Sequence, residues 1–165
     1  VNVAGARRIG HGVDISYEAD APALLARMKR EGIAVEINLT CNDSILGVRG
    51  ADHPLALYRA AGVPVLLSTD DAGLSRSDMT NEYLRAVTEQ GLDYAALKDM
   101  ARASISYSFL PGASLWRMEP CAGADPAAPP APCRTALATS EKAREQLRLE
   151  QAFTRFEAKI GRDPF

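Results

Sequence analysis

The stretch GVPVLLSTDDAG, residues 62 to 73, decides the fold class of this chain. Val63 to Leu67 form a continuous apolar run, which is typical of a strand buried on both faces of a parallel sheet. Gly62 supplies a stop signal for a preceding helix, and the run ends at the polar residues Ser68 to Asp71. The stretch therefore predicts a short buried strand with polar side chains at its carboxyl end.

Two earlier stretches repeat this arrangement of an apolar strand followed by polar residues. Ala6 to Ile9 lead into Gly10-His11-Gly12, and Ile33 to Leu39 lead into Thr40 to Asp43. Between the strands, the sequence predicts helices at residues 19–30 and 53–60 and a long loop over residues 42–52. Alternating strands and helices predict a parallel α/β fold, either a doubly wound sheet or a (β/α)8 barrel, and both carry their chemistry at the carboxyl ends of strands.

The second half of the chain changes character. A loop through Gly73 and Ser75 precedes helices predicted at residues 78–90 and 93–107. A Pro/Ala-rich linker is predicted at residues 117–139, and a charged C-terminal helix with only a partial apolar stripe at residues 140–165. The predicted organisation is therefore a β/α unit over residues 1–116, the linker, and a helical extension.

Composition limits the classes of partner. The chain has 165 residues and a net charge of -2, and its Lys and Arg residues are dispersed rather than gathered into a stripe. No apolar run approaches the ~20 residues of a membrane span, and no glycine-rich phosphate loop follows any predicted strand. We therefore expect neither nucleic-acid binding nor membrane insertion. The chain begins with Val1 and is expected to be a fragment, so localisation and oligomeric state stay open.

Of the three cysteines, only Cys121 and Cys133 flank a common loop. We predict that they pair in a disulfide, which would suit an exported protein. Two free thiols in a cytoplasmic protein are the alternative.

The order and spacing of several motifs resemble those of the adenosine deaminase family. The resemblance covers about the first 116 residues, and no motif of the H-x-E with P-C-x-x-C class of zinc deaminases is found. The motifs are Arg8 to Gly12, Glu36 to Asn42, His53-Pro54, Ser68 to Asp71, Asn81-Glu82-Tyr83 and Ser108 to Pro111.

The resemblance implies a partial (β/α)8 TIM barrel, in which the present strands are the sixth, seventh and eighth. It also implies one divalent metal, usually Zn²⁺, of whose protein ligands only Asp70 lies in this chain. A metal supplies a strong nucleophile at neutral pH by lowering the pKa of bound water to ~7. By resemblance, Asp70 also accepts the proton of that water, His11 orients the water and stabilises developing charge, and Asp71 hydrogen-bonds N7 of the purine.

The function implied is hydrolytic deamination of adenosine to inosine and ammonia by the full-length enzyme, with the fragment alone inactive. Leu39, Cys41 and Ala72 stand where the family often has proline, serine and proline, which leaves deamination of another aminopurine compound open. A catalytically dead or truncated interaction module is the alternative from another class. His53 is expected to cap or orient the next helix, and Glu36 could be a structural ion-pair partner as easily as a site residue.

Overall fold

The computed structural model describes residue 1 and residues 3–161 of the chain. Residues cluster into two compact units, Val1–Ser104 and Ile105–Phe165. Each unit has its own apolar cluster, so the two are described separately.

The first unit is built on a three-stranded parallel sheet. Strands β1 (Arg8–Gly10), β2 (Ala34–Ile37) and β3 (Val65–Leu67) lie in the order β1-β2-β3, so β2 is central. The register pairs Ile9 with Val35 and Val35 with Val65. The predicted parallel α/β architecture is confirmed for these three strands.

Helices connect the strands and bury their apolar faces on the sheet. The helices of this unit are α1 (Ala21–Glu31), α2 (Leu39–Leu46), α3 (Leu55–Ala61), α4 (Ala72–Ser75), α5 (Met79–Thr88) and α6 (Tyr94–Ser106). The main cluster packs Met28 of α1, Tyr58 of α3 and Met100 of α6 with the strand residues Val35 and Ile37. Since Val65, Leu66 and Leu67 are all buried, β3 fits the continuous apolar run predicted for a strand covered on both sides.

Helix α2 occupies the start of the segment that was predicted as a loop, and that prediction is wrong. Its sequence LTCNDSIL is rich in residues that favour turns and gives no clear helical stripe. Tertiary contacts stabilise it instead, because the buried carboxylate of Glu82 accepts the Thr40 N–H at the first turn. Gly47 closes the helix in the left-handed conformation at φ 68°. A one-turn helix, α4, likewise lies in the loop predicted around Gly73.

The second unit is a helical extension that contains a disulfide within itself. Helix α7 (Ala131–Thr139) lies within the segment predicted as a linker, and α8 spans Glu141–Ile160. The predicted Cys121–Cys133 disulfide is present, and both cysteines pack with Leu115 and Ala143 in one buried cluster. The linker prediction missed α7 because the Pro/Ala-rich composition conceals a helix that begins directly after Pro130 and has a proline in its first turn. Residues 162–165 of the predicted C-terminal helix lie outside the described residues.

Among the described helices, none is long and apolar enough to cross a membrane.

Two glycines in the left-handed conformation provide a matched test of the packing below the sheet edge. Gly12 and Gly47 have φ values of 62° and 68°, so alanine is strained at both. A Cβ atom on Gly12 would lie 2.6 Å from Tyr58 Oη, whereas nothing lies within 4 Å of one on Gly47. Tyr58 Oη donates a 2.7 Å hydrogen bond to the Gly12 carbonyl, which the clash would break.

We expect Gly47→Ala to lower the free energy of unfolding by about 1 kcal/mol, from backbone strain alone. Gly12→Ala should cost at least about 1 kcal/mol more, because it also displaces the buried Tyr58 hydroxyl. Urea unfolding of both variants gives the comparison, and equal losses would show that Tyr58 does not hold this turn.

Candidate active site

Backbone hydrogen bonds attach the site to the carboxyl edge of the sheet. The His11 N–H donates to the Glu36 carbonyl at 3.0 Å, and the Ser68 N–H donates to the Ile37 carbonyl at 2.9 Å. The last two carbonyls of β2 thus hold the residues that follow β1 and β3. Side chains from all three strand ends therefore meet at one edge.

The structure brings two of the candidate residues, His11 and Asp70, into direct contact. His11 Nε2 lies 3.2 Å from Asp70 Oδ2, and their side chains are 38% and 37% exposed. The pair is therefore held together and still accessible to a small molecule. An imidazole in contact with a carboxylate can, together with it, orient and deprotonate a water molecule that binds beside the pair.

Asp71, the third candidate, is exposed and directly follows Asp70 in the chain. It stands at the start of α4, but its side chain does not cap that helix. Its backbone carbonyl accepts hydrogen bonds from the Leu74 and Ser75 amides. The exposed Asp71 carboxylate is therefore not used as a helix cap.

A buried thiol completes a possible ligand group. Cys41 Sγ donates to Asp70 Oδ2 at 3.1 Å, and ligand atoms of His11, Cys41 and Asp70 lie within 4.8 Å of one another. Imidazole, thiolate and carboxylate are the ligand types that zinc takes, so these residue types fit a divalent metal. Burial, and then the neighbouring Asp70 carboxylate, raise the pKa of Cys41 to about 11. The free thiol is therefore a neutral hydrogen-bond donor to Asp70 at physiological pH.

The backbone is strained at both members of the pair. His11 and Asp70 have positive φ values of 64° and 50°, and among the described residues only one other non-glycine residue, Arg76, shares this feature. The left-handed conformation costs about 1 kcal/mol or more for such residues and clusters at functional sites. The coincidence of strain with the His11–Asp70 pair points to function at this edge.

A buried polar network lies behind His11. Asn42 Oδ1 lies 2.7 Å from His11 Nδ1, and Asn42 Nδ2 lies 2.9 Å from His53 Nε2. The Leu55 N–H at the start of α3 donates to His53 Nδ1 at 3.2 Å, which confirms the predicted capping role of His53. Asn38 adds its Nδ2 at 3.2 Å from His11 Nδ1. Neither asparagine was singled out from the sequence, because an amide in a strand-end loop carries no chemical signature of its own.

Two acidic residues near the edge have structural partners. Glu36 forms an ion pair with Arg8, its neighbour on β1, as the structural alternative proposed. Glu82 is fully buried and accepts from the Thr40 N–H at 3.3 Å and the Ser77 hydroxyl at 3.1 Å. A carboxylate at the amino end of α2 is favoured by the helix dipole, and it fixes the helix that carries Cys41 and Asn42. The Asn81-Glu82-Tyr83 motif was visible in the sequence, but not this role.

Comparison with known proteins gives one family match and several relatives. The family profile "Adenosine deaminase" matches residues 1–117. The chain is 39% identical over 106 residues to an aminodeoxyfutalosine deaminase of Streptomyces coelicolor, covering 64% of this chain and 27% of that protein. It is 33% identical over 111 residues to an adenosine deaminase of Shewanella denitrificans, covering 67% and 33%. The chain thus spans about a quarter to a third of the length of these relatives.

Solved structures show the same fold. An adenine deaminase from Arthrobacter aurescens aligns with a TM-score of 0.56 at 24% identity, covering 64% of this chain and 32% of that one. The N6-methyl-AMP deaminase from Arabidopsis thaliana aligns with a TM-score of 0.50 at 31% identity, covering 64% and 30%.

The buried His53 predicts a specific pH dependence of stability. Its side chain is 2% exposed, and burial, followed by the positive charge of Arg85, lowers its pKa from 6.5 to about 4. The unfolded chain therefore takes up a proton between these values that the folded chain does not. The resulting stability is fully present above pH 6.5 and is lost as the pH falls toward 4, by roughly 3 kcal/mol.

The difference in the free energy of unfolding between the native chain and His53→Gln isolates this contribution, because the other titrating groups are common to both. Urea unfolding at intervals from pH 7 to pH 4 should show that difference shrinking as the pH falls. A constant difference across the range would contradict the assigned neutral state of His53.

Proposed function

The chain belongs to the adenosine deaminase family, and we propose that it supplies the last strands of a hydrolytic deaminase acting on an aminopurine. The relatives reported above are deaminases, which supports an enzyme of that class. The observation that carries the proposal is the His11–Asp70 pair, which is in contact, accessible and held on strained backbone at the carboxyl edge of the sheet.

We propose that β1, β2 and β3 are the sixth, seventh and eighth strands of a (β/α)8 barrel. Three parallel strands in sequential order, linked by helices, suit consecutive strands of a barrel. The chain covers 32% of the adenine deaminase structure, which fits three of eight strands. The chain alone would then be inactive, since the remaining strands carry the other metal ligands.

The family is metal-dependent, and we propose Zn²⁺ as the metal, with Asp70 as its ligand in this chain. When bound, a divalent metal lowers the pKa of a coordinated water to about 7 and so supplies a nucleophile at neutral pH. Asp70 would then accept a proton from the attacking water, and His11, which contacts Asp70, would orient that water. Cys41 Sγ donates to Asp70 Oδ2, the oxygen that His11 also contacts, and so holds the carboxylate in place.

For the substrate, we propose adenosine, which loses its amino group as ammonia and gains the oxygen of water. The Asp71 side chain accepts no hydrogen bond from a helix amide and is exposed, so its carboxyl group, in the protonated form, is available to donate a hydrogen bond to N7 of a purine. A second candidate is another aminopurine compound, favoured by the greater identity to the aminodeoxyfutalosine deaminase than to the adenosine deaminase. Deamination rates of the full-length enzyme with adenosine, aminodeoxyfutalosine, adenine and AMP would separate these substrates.

Three variants of the full-length enzyme distinguish the proposed roles. Asparagine is used at His11 and Asp70, because it tolerates the left-handed conformation and avoids added backbone strain. Asp70→Asn should abolish activity and weaken zinc binding. His11→Asn and Asp71→Ala should keep zinc and lose rate, with a cost for Asp71 on the order of a few kcal/mol in transition-state binding.

Zinc content and kcat measured together give the result. Asp52→Asn, at an exposed carboxylate in the turn Gly50–Asp52, is the matched control and should retain both. Full zinc content with substantial deaminase activity in Asp70→Asn would overturn the assignment.

A further inference from the structure

A continuous chain of buried polar groups runs from the first amide of α3 to the His11–Asp70 pair. We infer that this chain fixes the proton of neutral His11 on Nε2, facing Asp70, and that His53 and Asn42 are positioning residues. Its catalytic meaning rests on the proposed function, whereas the proton assignment rests on hydrogen-bond geometry alone.

The assignment starts at the Leu55 N–H, because a backbone amide fixes the direction of the hydrogen bond that it makes in this series of polar groups. Leu55 is the first residue of α3 and is buried, so its amide lacks the i−4 carbonyl that later residues of the helix use. It donates to His53 Nδ1 at 3.2 Å. A backbone amide can only donate, and His53 Nδ1 must therefore carry a lone pair and no proton.

The proton of His53 then lies on Nε2. An imidazole has at least one N–H, so a ring whose Nδ1 accepts must donate from Nε2. The group 2.9 Å from Nε2 is the side-chain amide of Asn42, placed with Nδ2 toward the ring. Two donors cannot share a hydrogen bond, whereas a half-turn of the amide presents its oxygen to the His53 N–H.

The same half-turn reverses the bond to His11. The Asn42 oxygen and nitrogen exchange places, so the amino group donates to His11 Nδ1 over the 2.7 Å contact. Asn38 Nδ2 faces the same ring nitrogen at 3.2 Å and donates to it as well. His11 Nδ1 is therefore an acceptor, and the proton of the neutral ring lies on Nε2, 3.2 Å from Asp70 Oδ2.

The opposite arrangement leaves a worse conflict. With its proton on Nδ1, His11 could donate to Asn38 Oδ1, a buried atom that otherwise lacks a partner among the described residues. That arrangement, however, leaves Asn42 donating to His53 Nε2 and forces the His53 proton onto Nδ1. It would set that proton against the buried Leu55 N–H, so two donors would repel each other where one hydrogen bond now stands.

The consequence concerns what His11 can do. A protonated Nε2 donates a hydrogen bond toward Asp70 and toward charge that develops beside it, and it has no lone pair for a metal. We therefore infer that His11 does not ligate the metal, although its ligand atom lies close to those of Cys41 and Asp70. It also deepens the proposed orienting role, because a donor at this position stabilises developing negative charge.

The test is ¹⁵N NMR of the full-length protein labelled at histidine, depleted of metal with a chelator. Spectra are recorded at a pH at which the ¹⁵N shifts themselves show a neutral His11 ring. The His11 resonances, assigned by their loss in His11→Asn, should show a protonated Nε2 and an unprotonated, downfield Nδ1. Addition of zinc should leave that pattern unchanged.

Two sets of variants alter the chain of hydrogen bonds. Asn42→Asp removes the amino group, so its carboxylate accepts from both rings and should move the His11 proton to Nδ1. His53→Gln offers an amide donor in place of the His53 N–H and should preserve the native pattern. His53→Leu removes that donor, so the His11 ring should shift toward a mixture of both tautomers.

A protonated Nδ1 in the native protein would overturn the inference, as would an unchanged His11 pattern in folded Asn42→Asp. Loss of the Nε2 proton on zinc addition would identify His11 as a ligand and overturn it too. If Asn42→Asp fails to fold, the native spectrum and the two His53 variants still decide. Because no substrate is used, a native protein with protonated Nε2 and no deaminase activity would refute the proposed function and leave this inference standing.

Discussion

The pairing of β2 with both of its neighbours is the constraint on which the rest of the structure depends. Its two terminal carbonyls accept the amides of His11 and Ser68, so the ladder continues past the strands into the residues that follow them. A shift of register by one residue would turn the buried side chains of β2 toward the wrong face and separate these two segments. The distance between His11 and Asp70 is therefore set by backbone hydrogen bonds and not by the flexible side chains themselves.

The buried polar groups behind the His11–Asp70 pair satisfy backbone amides of the fold and also contact the proposed catalytic histidine or fix the helix beside it. His53 satisfies the first amide of α3, Asn42 joins it to His11, and Glu82 satisfies an amide of α2. Each is a polar group in the core that would be costly without its partner. Changes made at a distance from the pair, at the start of α3 for example, therefore act on the ring that faces Asp70.

Much of the fold could be predicted from the sequence because its signals are local. The apolar run Val63 to Leu67 and the polar residues after it indicate a buried strand end, and three such ends in one parallel sheet must meet. Helix α2 could not be predicted, since its first turn is stabilised by Glu82, which lies 42 residues further along the chain. Helix α7 was hidden by a Pro/Ala-rich composition that is typical of a linker, although the disulfide that Cys133 forms was predicted. The left-handed conformations of His11 and Asp70 were also out of reach, because glycine and not these residues is the usual signal for positive φ.

That backbone conformation bears on how the chain would evolve if it no longer catalysed a reaction. At His11 and Asp70, glycine would relieve the strained φ and remove the side chain in one step. A single base change converts an aspartate codon into a glycine codon, so at Asp70 neutral drift and selection for stability would favour the same substitution. Both side chains therefore stand where the backbone conformation favours their replacement by glycine, a pattern of strain that is common at functional sites.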